Sequence, residues 1–186
     1  MKEIILASNN EHKIREIQEI LSGFKVVSML DAGIDIDIIE DGKTFEENAY
    51  KKAKTICDMT GKPVMADDSG LCVEALDGAP GVYSARYSGH GDDANNKLLL
   101  QNMQDIENRR AYFECDIVIV FPDGKKILEV GKWYGNIASE ERGNNGFGYD
   151  VIFIPDEYPD KTSAELEPEE KNKISHRARA LKALSL

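Results

Sequence analysis

Two adjacent carboxylates, Asp67 and Asp68, followed by Ser69 and Gly70, are the residues of this sequence best suited to hold a divalent cation. They follow Pro63-Val64-Met65-Ala66, which reads as a short buried strand, and open α/β sheets place ligands beyond the C-terminal ends of their strands. Carboxylates in that position suit Mg²⁺, which keeps several waters and takes one or two protein carboxylates together with substrate phosphates. The same residues also spell an ordinary polar turn, with Asp68 bonding its own backbone and Gly70 supplying a positive φ. Glu40, ending an acidic stretch, is a second candidate ligand; the alternative is a solvated loop carboxylate.

Phosphate-binding chemistry is offered near the N-terminus. Ser8-Asn9-Asn10 supplies N-cap chemistry for a helix that follows a strand, and the N–H groups of such a first turn attract anions. Lys13, one turn in, is placed to reach a phosphate, or is simply a solvated charge. Lys52 shares a helix face with Phe45, Asn48 and Ala49 more nearly than Lys51 does. Arg86 stands between Tyr83 and Tyr87 in a long Gly- and Ser-punctuated connection, as a phosphate contact or as an arginine stacked on tyrosine. In Gly143-Asn144-Asn145-Gly146-Phe147-Gly148-Tyr149-Asp150, the glycines around Phe147 suit a ring that stacks on a planar base, and Asp150 is a further carboxylate. The alternative is a tight turn with a core Phe. Near the C-terminus, Lys171 and Ser175-His176-Arg177 gather at a helix start.

The elements that must position these groups are legible in outline. Residues 2–7 and 25–29 read as strands around a helix whose apolar face is Ile14, Ile17, Ile20 and Leu21, stopped by Gly23. Residues 35–41 read as a loop. Thr44 and Glu47 form a capping box for a helix that buries Phe45, Ala49, Ala53 and Ile56 and ends near Gly61. Residues 94–103 read as an amphipathic helix capped by Asp92-Asp93. A hairpin joins residues 111–121 and 126–134 through Pro122-Asp123-Gly124, so the sheet is mixed; the alternation of Tyr112, Glu114 and Asp116 predicts one exposed face. Residues 151–154 read as a strand, 167–174 as a helix with Pro168 in its first turn, and 176–184 as a helix capped by Ser175 that buries Ala180, Leu181 and Leu184.

Composition bounds the function. The 186 residues, 41% hydrophobic and 31% charged, suffice for one or two small domains with a real core. No apolar run approaches a membrane span, and Ile4-Ile5-Leu6-Ala7 is too short for a signal peptide. Cys57, Cys72 and Cys115 are odd in number and widely spaced, which predicts buried thiols in a reducing, cytoplasmic setting. His12, His90 and His176 have no zinc spacing. A net charge of −11 argues against a nucleic-acid polymer or an anionic membrane as partner, while leaving room for a small phosphorylated ligand held by local lysines and a metal.

Six segments in order resemble the inosine triphosphate pyrophosphatase family: Ser8-Asn9-Asn10 with Lys13, Thr44-Phe45-Glu46-Glu47-Asn48-Ala49, Ala66-Asp67-Asp68-Ser69-Gly70-Leu71, the stretch from Pro80 to Gly89, Gly146-Phe147-Gly148-Tyr149-Asp150, and Glu170-Lys171-Asn172-Lys173-Ile174-Ser175-His176-Arg177. The resemblance implies an α/β fold with a long mixed central sheet and flanking helices, residues 1–186 forming a single ITPase-like domain of two lobes around an active-site cleft, usually as a homodimer. It implies Mg²⁺-dependent hydrolysis of deaminated purine triphosphates (ITP, dITP, XTP) to monophosphate and pyrophosphate, which cleanses the nucleotide pool. By the same resemblance Asp68 is the catalytic carboxylate and, with Glu40, a metal ligand. Ser8, Asn9, Asn10, Glu11, His12, Lys13, Lys52, Ser69 and Arg86 would serve the triphosphate, and Phe147, Gly148, Tyr149, Asp150, Lys171, His176 and Arg177 the nucleoside. Asn9 stands where a Gly is common and Val151 where a Pro often follows the Asp; neither departure removes a charge. Two alternatives stay open: another triphosphate specificity on the same fold, such as modified pyrimidines, and a nucleotide sensor without turnover.

Overall fold

The computed structural model describes residues 2–184. The strands are β1 (Lys2–Leu6), β2 (Phe24–Val27), β3 (Val64–Val73), β4 (Arg110–Val120), β5 (Lys126–Ile137) and β6 (Phe153–Pro155). The helices are α1 (Glu11–Ile20), α2 (Phe45–Thr60), α3 (Asp92–Asn102), α4 (Pro168–Ile174) and α5 (His176–Ala183). All six strands lie in one sheet in the order β2-β1-β3-β4-β5-β6. β1 runs parallel to β2 and β3, and β5 antiparallel to β6, so the sheet is mixed. The turn between β4 and β5 is closed by Phe121 N–H to the Lys125 carbonyl and Gly124 N–H to the Phe121 carbonyl, as the Pro-Asp-Gly sequence predicts.

The chain divides into two compact units. The first comprises Met1–Asp68, Cys115–Gly131 and Arg177–Leu186. Its strands are covered on both faces, and the period of two sorts their side chains. Ile5, Ala7, Val64, Ala66, Val118 and Val120 pack with Ala49, Ala53 and Ile56 of α2. Ile4, Leu6, Met65, Ile117 and Ile119 pack with Ile17 of α1 and with Ala180 and Leu181 of α5. α2 is delimited as its sequence requires: Thr44 Oγ1 accepts from Glu47 N–H, and Gly61 closes the helix at φ 62°, a left-handed conformation that glycine adopts without strain.

The second unit comprises Ser69–Glu114 and Lys132–His176. Its core gathers Leu71, Val73, Leu99, Met103, Phe113, Trp133, Ile152 and Phe153. Phe113 meets the Phe153 ring edge-on at 4.7 Å, and the His176 ring stacks on Phe113 at 4.7 Å. The buried Trp133 indole donates to Glu157, which satisfies its only polar atom.

The structure corrects several sequence expectations. The strand expected to end at Ala66 continues to Val73, because Leu71 and Val73 are core residues and the two aspartates have partners that let them sit inside a buried strand. Asp116 is 5% exposed rather than on an open face: alternation holds over the first residues of β4 and stops where that strand enters the doubly covered sheet of the first unit. Glu47 accepts from Lys43 N–H rather than Thr44 N–H, so the capping box is displaced by one residue. Asp92 and Asp93 lie in the first turn of α3, whose N-cap is Gly91; there they favour the positive end of the helix without capping it. Residues 148–152 form a 3₁₀ turn and only then β6, because the Asp150 carboxylate accepts from Phe147 N–H and curls the chain.

Candidate active site

In β3, neighbouring side chains point to opposite faces, so Asp67 and Asp68 serve different surroundings. Asp67 shares the parity of Met65 and faces α1 and α5. Its Oδ2 lies 3.2 Å from Lys13 Nζ and 3.0 Å from Arg177 Nη2, and the Cys115 thiol points at the same oxygen. Burial alone would raise its pKa, but Lys13, Arg177 and Lys52 outweigh burial and hold the carboxyl well below the usual range. Arg177, 1% exposed, also pairs with Glu16 of α1 through Nη1. Burial works against its charge, yet Asp67 and Glu16 more than offset this, so the guanidinium stays ionised.

Asp68 shares the parity of Ala66 and faces α2. Lys52 Nζ lies 3.8 Å from its Oδ1, 3.1 Å from Glu40 Oε1, and 2.8 Å from the Asp67 carbonyl, to which it donates. Burial opposes the Lys52 charge, and Asp68, Asp67 and Glu40 together prevail and raise its pKa. For Asp68 burial is the larger effect and raises the carboxyl above its ordinary value against the pull of Lys52. Asn48, buried on α2, accepts from Gly42 N–H and so anchors the segment that carries Glu40. A Cβ on Gly42 would come within 2.6 Å of the Asn48 carboxamide oxygen, which explains the bare backbone there.

α1 presents its N-terminus through Asn10, whose Oδ1 accepts from His12 N–H and Lys13 N–H, while Ser8 Oγ accepts from Asn10 N–H. Glu11 and His12 are exposed on the first turn, and Ser8 is half-buried. Glu40 and Asp68 are hard oxygen donors that already share one cation, the Lys52 ammonium. Among the described residues no group of three or more His, Cys, Asp or Glu side chains is gathered for a metal. A pair of carboxylates fits Mg²⁺, which completes its shell with water and substrate phosphate.

The second unit builds a different surface. Asp150, buried, accepts from Lys171 Nζ at 2.7 Å, Phe147 N–H at 3.0 Å and Ser163 Oγ at 2.9 Å. The Lys171 ammonium stands 5.0 Å from the centre of the half-buried Phe147 ring. A Cβ at Gly146 would strike the Asp150 carboxylate at 2.1 Å, so that glycine admits the acid. Tyr149 O–H donates to the Ser84 carbonyl, and Asn96 donates to the Gly148 carbonyl. Arg86, exposed, lies 5.0 Å over the Tyr83 ring, which is the stacked alternative. Ser69 is half-buried at the start of this unit.

The sequence model of the Ham1 family matches residues 4–185. The chain belongs to the Ham1 family. It is similar to a protein named dITP/XTP pyrophosphatase from Clostridium perfringens, 53% identical over 99% of this chain and 96% of that one. Among solved structures it resembles the Staphylococcus aureus Ham1 protein, with a TM-score of 0.88, 44% identity, and 97% and 95% of the two chains covered. It also resembles a Mycobacterium abscessus structure described as nucleoside-triphosphatase / dITP/XTP pyrophosphatase, with a TM-score of 0.80, 45% identity and 98% of each chain covered.

Of the residues singled out by resemblance to this family, the structure gathers Lys13, Glu40, Lys52, Asp68 and Arg177 in the first unit and Phe147, Asp150 and Lys171 in the second. His176 is buried against Phe113 and Trp133. Sequence reasoning offered Asp67 only as a carboxylate for a cation and gave no role to Glu16 or Asn48; in the structure Asp67 holds Lys13 and Arg177, Glu16 also holds Arg177, and Asn48 holds the Glu40 segment. One signal was available for Asp67: a strand running past Ala66 sends adjacent acids to opposite faces. For Glu16, no local pattern pairs it with a residue at the far end of the chain.

Proposed function

We propose that this protein is a Mg²⁺-dependent nucleoside triphosphate pyrophosphohydrolase that converts ITP, dITP and XTP to the monophosphate and pyrophosphate. The observation that carries the reading is the Lys52 ammonium set between Glu40 and Asp68, beside a second ammonium, Lys13, that acts on the same aspartate pair. Attack at the α-phosphorus drives charge onto the departing pyrophosphate, and positioned cations are what such a reaction requires. Glu40 and Asp68 would hold the metal, which supplies further charge neutralisation when bound. Lys13 and Lys52 bind the phosphates together with the N–H groups at the start of α1, with Ser8, the backbone of Asn9, residues 10–12, Ser69 and Arg86 completing the contacts. Asp68 orients the attacking water and takes its proton; its burial makes it the more basic of the two aspartates.

Base choice falls to the remaining residues. Phe147 offers a ring for stacking, and Gly148, Tyr149 and Asp150 shape its neighbourhood. A 6-keto purine presents O6 and N7 as acceptors, whereas adenine presents an N6 donor. Lys171 and Arg177 are donor-only and favour the keto base, with His176 packed next to Arg177 in the chain. Residues 1–186 act as one ITPase-like domain of two lobes, working as a cytoplasmic homodimer on the nucleotide pool.

The test is pyrophosphate release from ITP, XTP, GTP and ATP, each with Mg²⁺ and with chelator, alongside sedimentation for the dimer. Metal-dependent release from ITP and XTP far above GTP and ATP is expected. Tight ITP binding without turnover would replace the enzyme by a sensor, and orthophosphate in place of pyrophosphate would move the attack to another phosphorus.

A further inference from the structure

We infer that Asn9 is a positioning residue, which uses its side chain to lock the phosphate-binding turn to the loop that leads to Glu40. This rests on the functional reading above for the roles of those two segments. The parallel pairing of β1 with β2 ends at Ile5 opposite Val27. Beyond it the backbone makes one further bond, from Met29 N–H to the Ser8 carbonyl, at 3.3 Å. The next donor, Leu30 N–H, is met by the Asn9 carboxamide oxygen at 3.0 Å. A side chain therefore extends a sheet ladder that the backbone has left.

Both ends of that bond are anchored. On one side Asn9 lies between Ser8 and Asn10, whose side chains order the start of α1. On the other, Leu30 sits in a compact turn closed by Ala32 N–H to the Ser28 carbonyl, Ile34 N–H to the Met29 carbonyl, and mutual bonds between Ser28 and Asp31. Met29 and Ile34 flank the turn as buried core residues, and Ile36 and Ile38 carry the chain along the same core toward Glu40. The bond is a second tie between the two loops, next to that of Met29 N–H to the Ser8 carbonyl, so it restricts the motion of the turn that receives phosphate relative to the segment that bears the carboxylate. Glycine at this position has no acceptor to offer, so the carboxamide is what secures the junction.

The experiment uses the full chain with Asn9→Ala, Leu30→Pro, which removes the donor and leaves Asn9 in place, and the double variant. It reads amide exchange at Leu30, the Kd for inorganic tripolyphosphate with Mg²⁺, and kcat and KM for ITP. In Asn9→Ala, Leu30 exchange should rise, and both Kd and KM should increase about threefold to tenfold, the scale of one lost hydrogen bond, with kcat changed less. Leu30→Pro should reproduce the Kd shift, and the double variant should be no worse than either. Unchanged Leu30 exchange in Asn9→Ala overturns the inference. So does a Kd that rises in Asn9→Ala but not in Leu30→Pro, which would mean that the Asn9 side chain touches phosphate directly. The Asn9→Ala exchange and Kd decide the matter even where Leu30→Pro does not fold. If the unaltered protein does not hydrolyse ITP, the functional reading fails, while exchange and tripolyphosphate binding still judge the strap.

Discussion

Asp67 and Asp68 are chemically identical neighbours with opposite duties, and the difference is entirely one of surroundings. Asp68 faces a lysine that it shares with Glu40, and burial raises its carboxyl. In the proposed mechanism, replacing it with Asn removes the proton acceptor while keeping shape, so kcat on ITP should fall by about 10²–10⁴-fold, the usual worth of a general base. Near-wild-type kcat in Asp68→Asn would remove it from the mechanism. Asp67, itself buried, neutralises the buried Arg177 and the half-buried Lys13. Its replacement by Asn leaves two cations without their shared anion, and breaking a buried pair from one side costs about 3–5 kcal/mol. Urea unfolding of Asp67→Asn should show that loss, whereas Asp68→Asn should unfold near the wild-type midpoint.

Elements place these groups, and their junctions are where small changes matter. Gly135 of β5 pairs with Pro155 of β6, and a Cβ there would lie 2.2 Å from the Ile154 carbonyl oxygen. Gly135→Ala must force the two strands apart, at a cost of about 1–3 kcal/mol typical of overpacking, visible as a lowered Tm with faster exchange along β6. A surface junction behaves differently. Arg110, at the start of β4, makes a bidentate pair with Asp156 just after β6. The hydrogen bond from Arg110, then its charge, holds the Asp156 carboxyl below its usual range. A carboxyl depressed in the folded state contributes stability above the unfolded pKa of about 3.9, and that contribution is lost as pH falls through the folded value. Both partners are well exposed, so solvent screening keeps Arg110→Ala to under about 1 kcal/mol, a gap that should close in high salt and in strong acid. The helical elements were legible because Phe45, Ala49, Ala53 and Ile56 recur at helical spacing between Thr44 and Gly61. The full length of β3 was not, since Asp67-Asp68-Ser69-Gly70 has the composition of a turn and only its buried partners make a strand of it.

For the whole molecule, a chain of net charge −11 that binds a polyanion must do so through local cations and metal. Among the described residues no helix is long and apolar enough to cross a membrane. A ligand that binds only the folded state stabilises it by mass action. A non-hydrolysable ITP analogue at one hundred times its Kd should therefore raise the unfolding free energy by about 2.7 kcal/mol with Mg²⁺, and chelator should abolish most of the gain. An equal gain with and without chelator would show that the metal does not contribute to binding.

The sequence by itself determined the mixed α/β class, the hairpin, the helix with its Thr44 cap and Gly61 stop, and the motifs that place the chain in its family. These are local properties: caps, periodicity and short strings of residue types. Tertiary structure alone decided that Asp67 and Asp68 lie inside a strand and face apart, that Asp116 is buried, that Arg177 pairs with Glu16 from the opposite end of the chain, and that the Asn9 side chain continues a backbone ladder. Each depends on a partner far away in sequence, and a buried charge is tolerated only once that partner is in place.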